Sequence, residues 1–107
     1  MSESNPIIWN VYLVRMRSNA LYCGITTDVT RRFDQHVSGL GAKALKGKGP
    51  LVLEWHQSLN LSRSAASKVE YQLKRQSKVV KEALIRGDLA LSDVIKQDLY
   101  EEIYRLS

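Results

Sequence analysis

The spacing of apolar side chains changes period along the chain. From Trp9 to Arg15 it alternates: Trp9, Val11 and Leu13 point one way, Asn10, Tyr12 and Val14 the other. Both sets are largely apolar, which predicts a strand covered on both faces. Arg17-Ser18-Asn19-Ala20 is turn-forming, and Leu21 to Ile25 is a second short strand. The two predict an antiparallel hairpin with a loop of about four residues. Thr26-Thr27-Asp28 is a helix start, with Thr27 or Asp28 as the cap, and the helix is predicted to run to Val37. Val29, Phe33 and Val37 recur every fourth residue and are expected to face the core. Arg32 and His36, also four apart, share a neighbouring face.

Ser38 to Pro50 breaks the pattern with four glycines and three lysines, and reads as a loop. Leu51 to Ser58 is a third strand. Ser62 or Ser64 caps a long helix whose apolar stripe is Ala66, Val69 and Leu73, with Glu70 beside it. Ser77 caps a further helix, Lys78 to Ile85, and Gly87 stops it. From Ser92, the positions Val94, Ile95, Leu99 and Ile103 predict a last amphipathic helix. The fold class is therefore α/β of the α+β kind: a small three-stranded antiparallel-type sheet flanked by helices. The expected division is a tail over 1–7, a domain over 8–86, and a helical extension over 87–107 packed on that domain.

At 107 residues the chain has the size of one domain, and it can bury enough surface to fold without staples. Its formal net charge of +5 favours polyanionic partners: nucleic acid, acidic membrane surfaces or acidic proteins. The single cysteine, Cys23, excludes an intrachain disulfide. It lies in an apolar run and is expected to be a buried structural thiol. No leader-like or membrane-spanning stretch is visible, which predicts a cytoplasmic protein with no membrane partner. No cysteine–histidine cluster suggests zinc. Trp9 and Trp55 are expected in the core, and His56 reads as structural.

Tyr12, Tyr22, Gly24, Arg32, His36 and Glu70 carry the candidate chemistry. Tyr12 and Tyr22 lie on adjacent strands of the hairpin. Gly24 is expected to let a large ligand approach the backbone. The first helix delivers Arg32 and His36, and a later one could return Glu70. Phosphodiester hydrolysis needs a metal, a cation for the charge that develops on the phosphoryl group, and a base for the attacking water. These residue types supply a ligand for the metal, the cation and candidates for the base.

The spaced series resembles the GIY-YIG nuclease family. Asn10-Val11-Tyr12 is a degenerate form of the first signature, Gly-Ile-Tyr, and Tyr22-Cys23-Gly24 stands for the second, Tyr-Ile-Gly. The family arginine falls on Arg32, its histidine or tyrosine one turn later on His36, and its helix-borne glutamate on Glu70. Leu21 to Val29, Arg31-Arg32, Gly41 to Leu45 and Gly47-Lys48-Gly49 look like a compact bacterial subfamily that is little more than the nuclease core. The family also includes the amino-terminal cutting module of excision-repair nucleases. Those members carry a lysine where Ile25 stands here.

The resemblance implies a metal-dependent endonuclease, with DNA repair as one setting for it. Glu70 would bind one divalent cation, Mg or Mn, and Arg32 would stabilise charge. Tyr12, Tyr22 or His36 would be the general base. His36 has the ordinary pKa nearest neutrality, whereas a phenol needs help from a cation, so the choice stays open. Nucleic acid is the implied partner, DNA more than RNA, with low sequence specificity or a preference for structure. Lys43, Lys46 and Lys48, with Lys74 on the later helix, are the expected phosphate contacts. Arg75, Lys78 and Lys81 would extend that track. Two other readings stand: a non-catalytic nucleic-acid-binding module on the same fold, and an adaptor that docks a partner protein through its last helix.

Overall fold

The computed structural model describes residues 7–60 and 62–95. Strand β1 (Trp9–Arg15) pairs antiparallel with β2 (Leu21–Thr26) and, on its other edge, with β3 (Val52–Leu59), giving the order β2-β1-β3. The central strand is covered on both faces, as its two apolar sets require. Five residues join β1 to β2, and Asn19 takes the left-handed conformation at φ 77° that the tight return demands.

Helix α1 (Val29–Val37) starts at Asp28, whose carboxylate accepts the Arg31 N–H. Helix α2 (Arg63–Lys74) starts at Ser62, and α3 (Lys78–Arg86) at Ser77, each through its hydroxyl oxygen. Gly87 closes α3 at φ 84°. The loop after α1 contains a short 3-10 turn, Lys43–Leu45, that apolar periodicity did not predict. Leu91–Asp93 is a second such turn where the last helix was expected to begin. Leu99 and Ile103 lie outside the described residues.

The sheet separates two cores. Val11, Leu13 and Cys23 pack with Ala66, Val69 and Leu73 of α2, and Leu84, Leu91 and Ile95 join them. Trp9 and Trp55 pack against this cluster, as expected. Tyr12, Val14 and Leu45 form the second cluster on the opposite face, with Phe33 of α1 and Tyr22 against it. Because side chains alternate along β1, α1 and α2 must lie on opposite faces of the sheet.

Helix α1 departs from expectation at its end. Val37 is 59% exposed, whereas His36 is 2% exposed and takes the core position after Phe33. The helix repeat allows either residue, three or four after Phe33, to follow it on one face. A buried imidazole is tolerated only where both ring nitrogens find partners, and the sheet and loop supply them here. At the far end of β1, Arg15 bonds to Glu54 of β3 and, through two nitrogens, to Glu82 of α3, which ties α3 to the sheet.

Candidate active site

Tyr12, Tyr22 and His36 form a cluster of three rings. The centroids are 6.3 Å apart for Tyr12–Tyr22, 5.8 Å for Tyr12–His36 and 5.6 Å for Tyr22–His36. Strand register explains the tyrosine pair: Tyr12 lies opposite Gly24 and Val14 opposite Tyr22, so the phenols are diagonal neighbours on one face. Tyr12 Oη lies 2.8 Å from His36 Nε2, and the Ala42 N–H donates to His36 Nδ1 at 3.2 Å. Arg32, one turn before His36, reaches Gln35 and bears on both Tyr12 and His36.

Gly24 has a different role from the expected one. A methyl there would stand 2.5 Å from Tyr12 Oη and 2.7 Å from Cζ. The space is filled by the Tyr12 ring, so it is not an opening for a ligand, and Gly24 is itself buried. Gly41 plays the same part for His36: a methyl there would stand 2.2 Å from Nδ1. Spacing alone did not single out Gly41 or Ala42. The usable signal was glycine in a loop directly after a helix with an imidazole in its last turn.

Burial drives the electrostatics. Tyr12 is pushed up to about 12, first by burial and then by Tyr22, with Arg32 pulling against both. Burial, then Arg32, lowers His36 below its usual value, so the ring is neutral at neutral pH. Burial also drives the Cys23 thiol up to about 12, as befits a structural cysteine.

Glu70 is borne by α2, not by the elements that carry the rings. It projects from α2 on the other face of the sheet, 20% exposed at its side chain, with Lys74 Nζ 3.3 Å away. Its charge bears on Cys23 of β2, between Tyr22 and Gly24. Since β2 is an edge strand, the carboxylate and the rings flank that edge from opposite faces. No group of three or more acidic, histidine or cysteine side chains suited to a metal occurs among the described residues. A lone, partly buried carboxylate fits a hard cation such as magnesium, which keeps several waters and takes few protein ligands. It does not fit a caged ion.

Lys43, Lys46 and Lys48 are exposed, on the loop that Leu45 anchors in the second core. None of them joins an ion pair among the described residues. The helix cations are more engaged: Lys74 with Glu70, Lys78 with Glu82, Arg75 with the Tyr71 hydroxyl, and Lys81 with the Lys74 carbonyl. The basic track expected along α2 and α3 is thus largely self-paired. His56, read as structural, is exposed on β3 directly opposite Tyr12. No helix among the described residues is long and apolar enough to cross a membrane.

The model of the GIY-YIG catalytic domain matches residues 8–83. A UPF0213 protein of Vibrio cholerae is 61% identical over 82 residues, 77% of this chain and 81% of that one. A UPF0213 protein of Serratia proteamaculans is 54% identical over 85 residues, 79% and 81% of the two chains. The solution NMR structure of the UPF0213 protein BH0048 from Bacillus halodurans is 37% identical, with a TM-score of 0.47 over 74% of this chain and 83% of that one.

Proposed function

We propose that this chain, which belongs to the GIY-YIG family, is a divalent-metal-dependent endonuclease that hydrolyses nucleic-acid phosphodiester bonds. The observation that carries the reading is the convergence of Tyr12, Tyr22, His36 and Arg32 on one face of β1 and β2, with the Tyr12 Oη–His36 Nε2 bond of 2.8 Å at its centre. Arg32 is the cation for charge developing on the phosphoryl oxygens. Tyr12 is the general base. Its oxygen lies 2.8 Å from one ring nitrogen, and the Arg32 guanidinium favours its phenolate. His36 is less suited to the role, because its neutral ring is engaged at both nitrogens.

Glu70 would hold a single Mg or Mn ion. When bound, that ion supplies positive charge against the developing negative charge and lowers the pKa of nearby acids. A backbone phosphate lying across the edge of β2 would meet Glu70 from one side and, from the other, Arg32 and the half-buried Tyr22 that packs on Tyr12. Lys43, Lys46 and Lys48, free of ion pairs among the described residues, would hold flanking phosphates. DNA is the favoured substrate over RNA, cut with low sequence specificity or by structure, in a cytoplasmic setting where repair is one fitting role.

One observation favours the non-catalytic binding module: a phenol pushed up to about 12 is a poor base until a cation lowers it. The test separates the two readings. Purified protein is incubated with labelled single-stranded DNA, duplex DNA, branched DNA and RNA, with magnesium, manganese or chelator. Glu70→Ala, Arg32→Ala and Tyr12→Phe proteins run alongside, their folding checked by circular dichroism. Metal-dependent products that fall at least about a hundredfold in each folded variant are expected. Binding without products on every substrate would replace the nuclease with the binding module. Cleavage surviving in Glu70→Ala would remove Glu70 from its role.

A further inference from the structure

The loop between α1 and β3 reaches back to the imidazole in the last turn of α1. After Val37 the chain reverses: Gly39, at φ 83°, donates its N–H to the His36 carbonyl, and Leu40 donates to that of Gln35. The reversal lays Gly41 and Ala42 against the His36 ring. The Ala42 amide lies 3.2 Å from Nδ1. A backbone amide can only donate, so Nδ1 must present a bare lone pair. A neutral ring then carries its one proton on Nε2, the nitrogen 2.8 Å from Tyr12 Oη. That fixes the direction of the second bond: His36 donates, the Tyr12 oxygen accepts, and the Tyr12 proton is left for another acceptor.

We infer that Gly41 and Ala42 are positioning residues whose backbone sets the His36 tautomer, making the imidazole a hydrogen-bond donor to Tyr12 and barring it from taking a proton there. Gly41 is required because the loop passes too close for a side chain. Its added carbon would stand 2.2 Å from Nδ1 and 3.0 Å from the His36 Cα, and backbone cannot swing aside as a flexible side-chain tip can. Gly39 and Gly47 lie in the same loop at positive φ, yet nothing stands within 4 Å of the carbon either would gain. Gly39 and Gly47 thus serve the chain's path, and Gly41 serves the ring. The other groups around the pair are Arg32 from α1, Tyr22 and Cys23 from β2, and His56 across the strand on β3. None of them offers His36 Nδ1 a hydrogen bond.

The catalytic consequence rests on the nuclease reading, but the tautomer does not. The test is a long-range 1H–15N correlation spectrum of the full chain at neutral pH, on wild type, Gly41→Ala and Gly47→Ala. Wild type is expected to show a proton-free Nδ1 and a protonated Nε2, with the Ala42 amide protected from exchange. A proton on Nδ1, or a charged ring, overturns the inference. Gly41→Ala is expected to bring the two ring nitrogen shifts toward each other and to speed Ala42 amide exchange by about tenfold or more. Gly47→Ala strains the backbone at φ 73° but meets no atom of the ring, and it is expected to leave both unchanged. A folded Gly41→Ala protein with the wild-type spectrum removes Gly41 from the role; if that variant does not fold, the wild-type spectrum alone decides. An inactive protein with the expected tautomer would count against the nuclease and leave this assignment standing.

Discussion

Gly24→Ala is the most direct probe of how the ring cluster is built. The new methyl would lie 2.5, 2.7 and 3.0 Å from Tyr12 Oη, Cζ and Cε1. Carbon atoms settle at about 3.5–4.0 Å, so the ring must retreat by about an ångström. It has little room, because Tyr12 is 2% exposed and has His36 and Tyr22 against it. Retreat also stretches the 2.8 Å bond and strands the Nε2 of His36 in the core. Overpacking costs about 1–3 kcal/mol and an unsatisfied buried donor about 1–3 more. The sum, about 2–6 kcal/mol, is a large part of the stability of about 5–15 kcal/mol usual for a domain. In urea, with a slope of about 1–3 kcal/mol per M, the unfolding midpoint should fall by at least about 0.7 M, with an unchanged slope. Adding Tyr12→Leu removes the atoms that the methyl strikes. The double variant should therefore be less destabilised than the two single changes summed, by about 1 kcal/mol or more. An unchanged midpoint, accompanied by weaker nucleic-acid binding, would refute this reasoning. It would mean that the space above Gly24 serves a ligand.

Two further outcomes follow from the charged groups. Replacing Lys43, Lys46 and Lys48 together by alanine should weaken oligonucleotide binding and flatten the log–log salt dependence by about 0.7–0.9 for each phosphate that the loop no longer neutralises. An unchanged slope in a titration from low to moderate salt would exclude the loop from the interface. The Arg15 guanidinium, then Lys78, holds the Glu82 carboxyl down to about 2. A depressed carboxylate stabilises the fold above its unfolded value and loses that contribution as pH falls through the folded one. Urea midpoints should therefore decline between about pH 4.5 and about pH 2, and more gently in Arg15→Met. Parallel acid profiles for the two proteins would remove this ion cluster from the stability of the fold.

Much of the fold was legible because it is written in local chemistry. Alternation identified β1, Ser77 and Gly87 were the expected start and stop of α3, and Asp28 and Ser62 were each one of two caps that the sequence offered. Two apolar faces on β1 required cover on both sides. The errors came where two residues competed for one position. Val37 and His36 both satisfy the helical repeat, and hydropathy favours valine. Tyr12 Oη and the Ala42 amide favour histidine, but neither is near it in the chain. The 3-10 turn at Lys43–Leu45 was missed because a short turn buries a single residue, Leu45, and leaves no periodic trace.

The sequence by itself determined which residues are candidates for the chemistry, since residue type, spacing and the family resemblance singled out Tyr12, Tyr22, Arg32, His36 and Glu70. Only the tertiary structure decided how they stand. The order β2-β1-β3 and the alternation along β1 put Glu70 on one face and the rings on the other, on either side of the β2 edge. The roles of Gly24 and Gly41 were likewise decided by what fills the space beside them. A glycine shows only that a side chain is missing; the atoms that need its absence come from distant parts of the chain, and packing alone brings them there.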